Sequence, residues 1–215
     1  MKVKRTPAAD RLGPYRAKRD FGATPEPTGS VAVLDHSRTK KAATGRYVVQ
    51  RHRATSLHYD FRLEIAGVLA SWAVPRGPSM DPASRRLAVQ VEDHPIGYIH
   101  FEGVIPARQY RAGDVTVWDR GTYRADPDTP DPAQAVADGE FKFELEGAKL
   151  SGGFVLIRTA GFGRRRPKPD DTRQKWLLIH RRDAAAIHGW DAEAYPRSAL
   201  TGRTNEDVAA PRRRT

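Results

Sequence analysis

The 215-residue chain contains no cysteine. This absence excludes disulfide bonds, thiolate zinc sites and cysteine nucleophiles, and it fits a reducing compartment. Any metal ion must therefore be held by histidine, carboxylate or water. The chain also lacks an apolar run of about 18 residues, and its basic start has no apolar segment, so neither a membrane span nor a signal peptide is predicted. We expect a cytoplasmic protein with no membrane partner.

Helical periodicity is scarce as well, and its best windows are the short stretches 132–138 and 183–188. The sequence instead holds segments that alternate polar and apolar residues and are rich in β-branched and aromatic side chains, which predicts strands. Ala66-Gly67 is a hairpin-turn signal between two of them. The predicted strands are 46–50, 57–65, 68–74, 87–92, 114–118, 141–146, 153–158 and 176–180. So many short strands favour a barrel or a sandwich.

The two ends of the chain differ from this middle part. Residues 1–30 have little apolar periodicity and are interrupted by prolines, so we interpret them as an arm. Residues 31–200 are expected to form one core domain, within which 161–171 has the composition of a loop. Residues 201–215 are expected to be a basic, disordered tail.

The positive charge is concentrated in parts of the chain. Net charge is +11, and residues 1–45 carry ten Lys and Arg against four acids, a surplus of six. Residues 164–182 carry eight against two, whereas 124–146 carry two against seven. A localised basic surface is typical of nucleic-acid binding, because it attracts phosphates. The alternative is a basic protein whose charged ends are merely solvated.

The segment 57–65 carries the most informative pattern. On a strand, residues two apart point to the same face at a spacing of about 7 Å, so His58, Asp60, Arg62 and Glu64 share one face. His52 lies just upstream. Two imidazoles and a carboxylate make a three-ligand site with open positions, which suits Mn²⁺, Zn²⁺ or Fe²⁺ better than Ca²⁺ or Mg²⁺. An ordinary solvated strand face is the alternative, but a neighbouring arginine favours phosphate binding.

A second histidine, His94, stands just before Pro95 at the end of a predicted strand. Such a residue can simply end a strand. It can also protonate a leaving oxygen or bind a transferring phosphoryl group. The pattern alone leaves both interpretations open.

Several blocks, in this order, closely resemble the 3′-phosphoesterase domain of bacterial ATP-dependent DNA ligase D. The blocks are 47–64 (YVVQRHRATSLHYDFRLE), 71–78 (SWAVPRGP), 87–95 (LAVQVEDHP), 101–106 (FEGVIP) and 117–122 (VWDRGT). Residues 15–27 resemble the family's amino-terminal arm, and 176–180 and 200–203 resemble its end. The resemblance covers roughly residues 12–205.

The resemblance implies an all-β fold, a compact closed β-barrel of about eight mainly antiparallel strands with a few short helices and an N-terminal arm that reaches the site. It implies a manganese-dependent enzyme, with Zn²⁺ or Co²⁺ as alternatives. Such enzymes remove a 3′-terminal ribonucleoside and then the 3′-phosphate, leaving a 3′-hydroxyl for ligation in non-homologous end joining. The implied partners are 3′ ends of DNA or of RNA/DNA primer-templates and the ligase, polymerase and Ku proteins of end joining.

Site residues can be carried over by position. The implied metal ligands are His52, His58 and Asp60. The implied catalytic contacts to phosphate are Arg19, Arg62 and His94. The implied substrate-binding residues are Asp20, Glu26, Gln50, Arg76, Arg86 and Tyr98. The chain departs from the family at Arg108 and Arg111, where glycines are usual; if those glycines have positive φ, the loop must differ here.

Two other functions fit parts of the pattern. The first is a non-haem iron oxygenase. Its facial triad of metal ligands is also written as His-x-Asp, here His58 and Asp60, with a distant histidine on a β-barrel. A non-catalytic module that binds nucleic-acid ends is the other alternative. The chain has no Lys-x-Asp-Gly signature, so nucleotidyl transfer is not expected from it, whether it stands alone or is one domain of a larger protein.

Overall fold

The computed structural model describes residues 10–29, 44–159 and 173–210. Nine strands form one sheet in the described residues. The strands are β1 Thr44–Arg53, β2 Leu57–Ile65, β3 Val68–Val74, β4 Arg86–His94, β5 Gly103–Ile105, β6 Gly113–Ala125, β7 Glu140–Gly147, β8 Ser151–Arg158 and β9 Lys175–His180.

Eight of these strands close into an antiparallel barrel. Their order is β1-β2-β3-β4-β9-β8-β7-β6, and β6 pairs back onto β1. The long strand β6 also pairs with β5 beside its first residues and with β7 beside its last. The closed barrel confirms the predicted fold class. The three-residue strand β5 was not predicted, because so short a segment shows no clear alternation.

The barrel interior is filled by the apolar positions of the alternating strands. Trp72, Trp118 and Trp176 are fully buried there and meet other aromatic rings edge to face. Further interior residues come from all around the barrel, among them Tyr47, Phe61, Ala88, Phe143, Phe154 and Leu178. This core fixes the wall of the barrel, so the polar faces of β1 and β2 must point outward.

A second apolar cluster covers part of that outer wall. Val48 and Val117 project outward from β1 and β6, and Tyr15 and Tyr98 pack over them. Tyr15 belongs to the short helix α1, Gly13–Arg16, and Tyr98 to the 3₁₀-helix Ile96–His100. The arm and this 3₁₀-helix therefore form a roof over the outer face of β1 and β2.

The turn between β2 and β3 sets the register of the wall. Ala66 and Gly67 have φ values of 51° and 80°, as a two-residue turn with a left-handed backbone requires. Ile65 consequently pairs with Val68, and Arg62 lies directly opposite Ser71.

The helices agree only in part with the sequence pattern. Helix α2, Pro132–Asp138, forms where helical spacing predicted it, with Asp131 as its N-cap. The window 183–188 is not helical. The side chain of Asp183 accepts hydrogen bonds from the amides of Gly153 and Ala185 instead, which holds a turn against β8. The described residues include no helix long and apolar enough to cross a membrane.

The carboxyl-terminal part also differs from expectation in its first residues. Where a disordered tail was expected, helix α3, Asn205–Ala209, begins with a capping box. Asn205 is fully buried and bonds the backbone oxygens of Arg51 and Asp114, so this segment docks against β1 and β6. Residues 211–215 and the predicted loop 161–171 lie outside the described residues.

Candidate active site

Strand pairing brings the three expected metal ligands together. His52 of β1 lies opposite His58 of β2, and Gln50 lies opposite Asp60. One ligand atom from each of His52, His58 and Asp60 lies within 4.8 Å of the others. His52 Nδ1 is 3.6 Å from Asp60 Oδ2, and His58 Nε2 is 3.9 Å from Asp60 Oδ1. These residues form a group able to hold a metal ion.

The two imidazoles are prepared for metal binding. His58 Nδ1 is 3.0 Å from the carbonyl oxygen of Ser56, so it carries the proton and leaves the Nε2 lone pair facing Asp60. Burial lowers the pKa of His58, which keeps the ring neutral at pH 7 despite the nearby carboxylate. His52 Nε2 is buried and has no hydrogen-bond partner among the described residues. A buried ring nitrogen without a partner, on a histidine whose ring centre lies 4.8 Å from that of His58, fits a divalent cation.

Asp60 is held as a carboxylate by the cations around it. Burial by itself raises the pKa of this group, but Arg62, His52 and Arg111 outweigh burial and lower the pKa well below its ordinary value. Arg62 Nη2 lies 3.1 Å from Oδ2, and Arg111 Nη1 lies 3.2 Å from Oδ1. The metal group therefore already carries its negative charge at neutral pH.

Arg62 is fixed in place by the wall itself. Its Nε donates to Gln50 Oε1 at 2.9 Å, and its Nη1 donates to Ser71 Oγ at 2.8 Å. Gln50 is in turn held by the carbonyl oxygens of Tyr98 and Phe101, at 3.2 and 2.9 Å. Gln50 is fully buried and thus orients Arg62 beside Asp60.

His94 lies next to this arginine and contacts the arm. Its Nδ1 is 2.8 Å from the carbonyl oxygen of Glu92, so Nδ1 carries the proton and Nε2 accepts from Arg19 Nη2 at 3.3 Å. Burial, then the charges of Arg62 and Arg19, lower the pKa of His94 well below its ordinary value. The ring is therefore neutral in the free protein, and it is not a proton donor until an anion binds.

Glu26 ties the arm to the wall. Its Oε1 accepts from Arg19 Nε and from the Tyr98 hydroxyl, both at 2.8 Å, and its Oε2 accepts from Thr24 Oγ1 at 3.0 Å. Arg19 also lies 3.9 Å above the Tyr15 ring. The arm thus supplies a buried cation to the site and carries the acid that neutralises it.

The structure does not bring three other expected residues into these contacts. Asp20 is exposed and its Oδ1 accepts from the amide of Gly22, which stabilises a turn in the arm. Arg76 and Arg86 lie at one end of the barrel, in a cleft of about 380 Å³ that Leu57 and Glu193 also line. Among the described residues, no hydrogen bond or ion pair joins any of the three to the metal group or to His94. Their roles in binding substrate stay predictions.

Sequence reasoning missed three residues that act on the site. Ser71 supports both Arg62 and His94, Glu92 forms ion pairs with Lys18 and Arg19, and Arg111 reaches Asp60. The hairpin register was enough to place Ser71 opposite Arg62. Glu92 shares the strand alternation of His94, but nothing in the pattern paired it with the arm.

Comparison with known proteins identifies the family of this chain. The family model of the DNA ligase D 3′-phosphoesterase domain matches residues 50–158, which include the metal group and His94. The chain is 46% identical to the multifunctional non-homologous end joining protein LigD of Pseudomonas aeruginosa, over 92% of this chain and 22% of that protein. The chain belongs to the DNA ligase D 3′-phosphoesterase family. This confirms the resemblance.

Other relatives match a smaller share of the chain. The LigD proteins of Mycobacterium tuberculosis (strain H37Rv) and Mycolicibacterium smegmatis are 44% and 41% identical to this phosphoesterase chain, each over 72% of it. The chain spans about a fifth of the length of the curated relatives it matches.

The loop that carries Arg108 and Arg111 has a left-handed backbone at both residues. Arg108 and Arg111 have φ values of 72° and 59°. Such values favour glycine, and an arginine costs about 1–2 kcal/mol more there. The loop therefore keeps a glycine-like backbone at both arginines.

Proposed function

We propose that this protein is a metal-dependent 3′-phosphoesterase that removes terminal 3′-ribonucleosides and 3′-phosphates and leaves 3′-hydroxyl ends. One observation carries the proposal. The three-ligand group and the side chains of Arg62, Arg19 and His94 converge on one outer face of the barrel, joined by contacts of 3.1 to 3.9 Å. Family membership and the names of the relatives support a role in end joining.

Manganese is the ion we propose for His52, His58 and Asp60, with Zn²⁺ and Co²⁺ as alternatives, because mixed imidazole and carboxylate ligands suit these ions. When bound, such a cation polarises a phosphate oxygen and lowers the pKa of a water molecule. The carboxylate of Asp60 is ionised and His58 is neutral before any ion arrives. No protons need to leave these two ligands at neutral pH.

The chain's own residues would then handle the phosphate. Arg62 and Arg19 neutralise negative charge on its oxygens, and their rigid hydrogen bonds keep both guanidinium groups in position before substrate arrives. An anion beside His94 favours a charged imidazole, because an opposite charge raises the pKa of a histidine. A proton on Nε2 of His94 could then pass to the leaving oxygen.

The arginines beside the metal group supply positive charge for a phosphate at the end of a strand. Asp60 and Glu26 pair with these cations, and Tyr15 and Tyr98 cover the outer face of the barrel beside the metal group. Such a site accepts a terminal group more readily than an internal phosphodiester. We therefore propose that DNA and RNA/DNA ends, rather than internal positions, are its substrates.

The test is product analysis on primer-templates that carry a 3′-phosphate, a 3′-ribonucleotide, a 5′-phosphate or no terminal modification. With Mn²⁺, we expect phosphate release from the first, nucleoside release from the second and no change in the other two. Zn²⁺ and Co²⁺ are tested in parallel, and a chelator should abolish both reactions. Oxygen-dependent turnover of an oxo-acid with Fe²⁺, without either reaction, would refute the proposal in favour of an oxygenase.

A further inference from the structure

Arg111 reaches the metal group from the loop between β5 and β6. Its Nη1 donates to Asp60 Oδ1 at 3.2 Å. Its side chain is 21% exposed, whereas those of Arg62 and Arg19 are each 2% exposed. Arg111 is thus the arginine of this group that a ligand can approach from solvent.

The donors of the three arginines differ in the same way. All three guanidinium nitrogens of Arg62 and of Arg19 bond protein acceptors. The guanidinium of Arg111 donates to Asp60 through Nη1, and the exposed side chain of Tyr110 is its other hydrogen-bonding neighbour. A guanidinium has five N–H donors in a fork that fits phosphate. Arg111 therefore retains donors for an anion while it stays beside Asp60.

The backbone at Arg111 indicates that this contact is not incidental. Its φ of 59° lies in the left-handed region, which a residue with a side chain enters at a cost. Arg108 in the same loop has a φ of 72°, is exposed, and makes no side-chain hydrogen bond or ion pair in the described part of the chain. The two arginines share backbone strain and charge, but Arg111 alone of the two reaches the site.

We propose that Arg111 is a further substrate-binding residue, which contacts the terminal phosphate from the solvent side of the metal group while Arg62 and Arg19 contact it from the buried side. The inference rests on the proposed function, because it takes a 3′-phosphate as the ligand. Arg111 would thus add a third guanidinium to the two that the buried side supplies.

The experiment measures binding without turnover. Fluorescence anisotropy in the presence of chelator gives the Kd of the 215-residue chain for primer-templates that end in 3′-phosphate and in 3′-hydroxyl. The ratio of the two Kd values separates the contribution of the terminal phosphate from that of contacts along the duplex. Arg111→Gly removes the side chain and the strain together, and Arg108→Gly is the matched control. Thermal melting of each variant checks that it is folded, and titration with Mn²⁺ measures its metal affinity.

We expect Arg111→Gly to reduce the ratio by roughly tenfold, as loss of one charge-assisted hydrogen bond does, while Arg108→Gly keeps the wild-type ratio. Arg111→Lys should recover part of it, because charge returns without the fork. An unchanged ratio in Arg111→Gly, with or without tighter Mn²⁺ binding, would overturn the proposal and leave Arg111 a counter-ion of Asp60. If the ratio is unchanged but the wild-type protein releases phosphate, the proposed function stands and only the role of Arg111 falls. If the wild-type protein neither releases phosphate nor prefers 3′-phosphate to 3′-hydroxyl ends, the proposed function and the role of Arg111 both fall.

Discussion

Glu26→Gln tests whether the arm is an integral part of the site. Glu26 is 4% exposed and accepts hydrogen bonds from Arg19, Tyr98 and Thr24. Glutamine preserves the shape of the side chain and one acceptor oxygen, but removes the charge. Arg19 is then buried with Glu92 as its remaining acidic partner, at 3.4 Å.

The magnitude follows from the cost of leaving a buried charge unpaired. Removal of one partner of a buried ion pair costs about 3–5 kcal/mol, and the remaining contact to Glu92 places this case near 3 kcal/mol. Detachment of the arm from the barrel would expose Arg19 to water and so relieve this cost. The arm can detach because it packs on the barrel through a small apolar cluster, and the barrel strands pair without it. A loss of about 3 kcal/mol makes this opening roughly 100-fold more frequent.

Amide hydrogen exchange measures this opening directly. The amides of Ala23 and Thr24 bond the carbonyl oxygen of Asp20, and their exchange should become roughly 100-fold faster in Glu26→Gln while amides of β7 and β8 keep their rates. Phosphate release should fall in the same variant. The control is Glu144→Gln, which breaks an ion pair to Arg124 on an exposed surface. Unchanged exchange in the arm together with full activity would refute the reasoning.

Two further predictions concern the carboxyl-terminal segment. Burial alone raises the pKa of Glu102, but hydrogen-bond donors that include Ser198 and Thr201 outweigh burial and lower this pKa. Ionised Glu102 therefore stabilises the fold above the pKa of the unfolded chain, and this stabilisation is lost as pH falls through the pKa of the folded protein. The melting temperature of Glu102→Gln should therefore lie below that of wild type at pH 7 and approach it near pH 3; a constant difference would contradict this. Asn205→Ala leaves Arg51 Nη1 and the carbonyl oxygen of Asp114 without their shared partner and should cost about 2–4 kcal/mol in urea unfolding, whereas a loss below about 0.5 kcal/mol would contradict the buried network.

Strand alternation explains how much of the site could be predicted from sequence. Residues two apart on β2 must share a face, so the sequence alone groups His58, Asp60 and Arg62. His52 is suggested by its place just upstream, and the antiparallel pairing of β1 and β2 in the structure sets it opposite His58. The Ala66-Gly67 turn determines the register between β2 and β3. That register is enough to predict that Ser71 lies opposite Arg62.

Contacts between distant segments could not be predicted in this way. Arg19 and Glu26 lie in a segment without a periodic pattern, so only the family resemblance predicts their place at the site. In the structure, the buried ion pair between them holds the arm at the site. Arg111 was recognised only as a departure from glycine, because sequence does not show that a left-handed backbone turns its side chain toward Asp60. The neutral state of His94 depends on burial and two arginines that the fold brings together.

Phosphate release from a 3′-phosphate primer-template in Mn²⁺, by wild type and by His58→Ala, tests the central claim most directly. Both proteins must first show the same cooperative melting. The control is His188→Ala, which removes a histidine whose side chain is 84% exposed. We predict that His58→Ala loses phosphate release and stoichiometric Mn²⁺ binding together, while His188→Ala retains both. Wild-type phosphate release by folded His58→Ala would contradict the assignment of the metal group and the mechanism built on it.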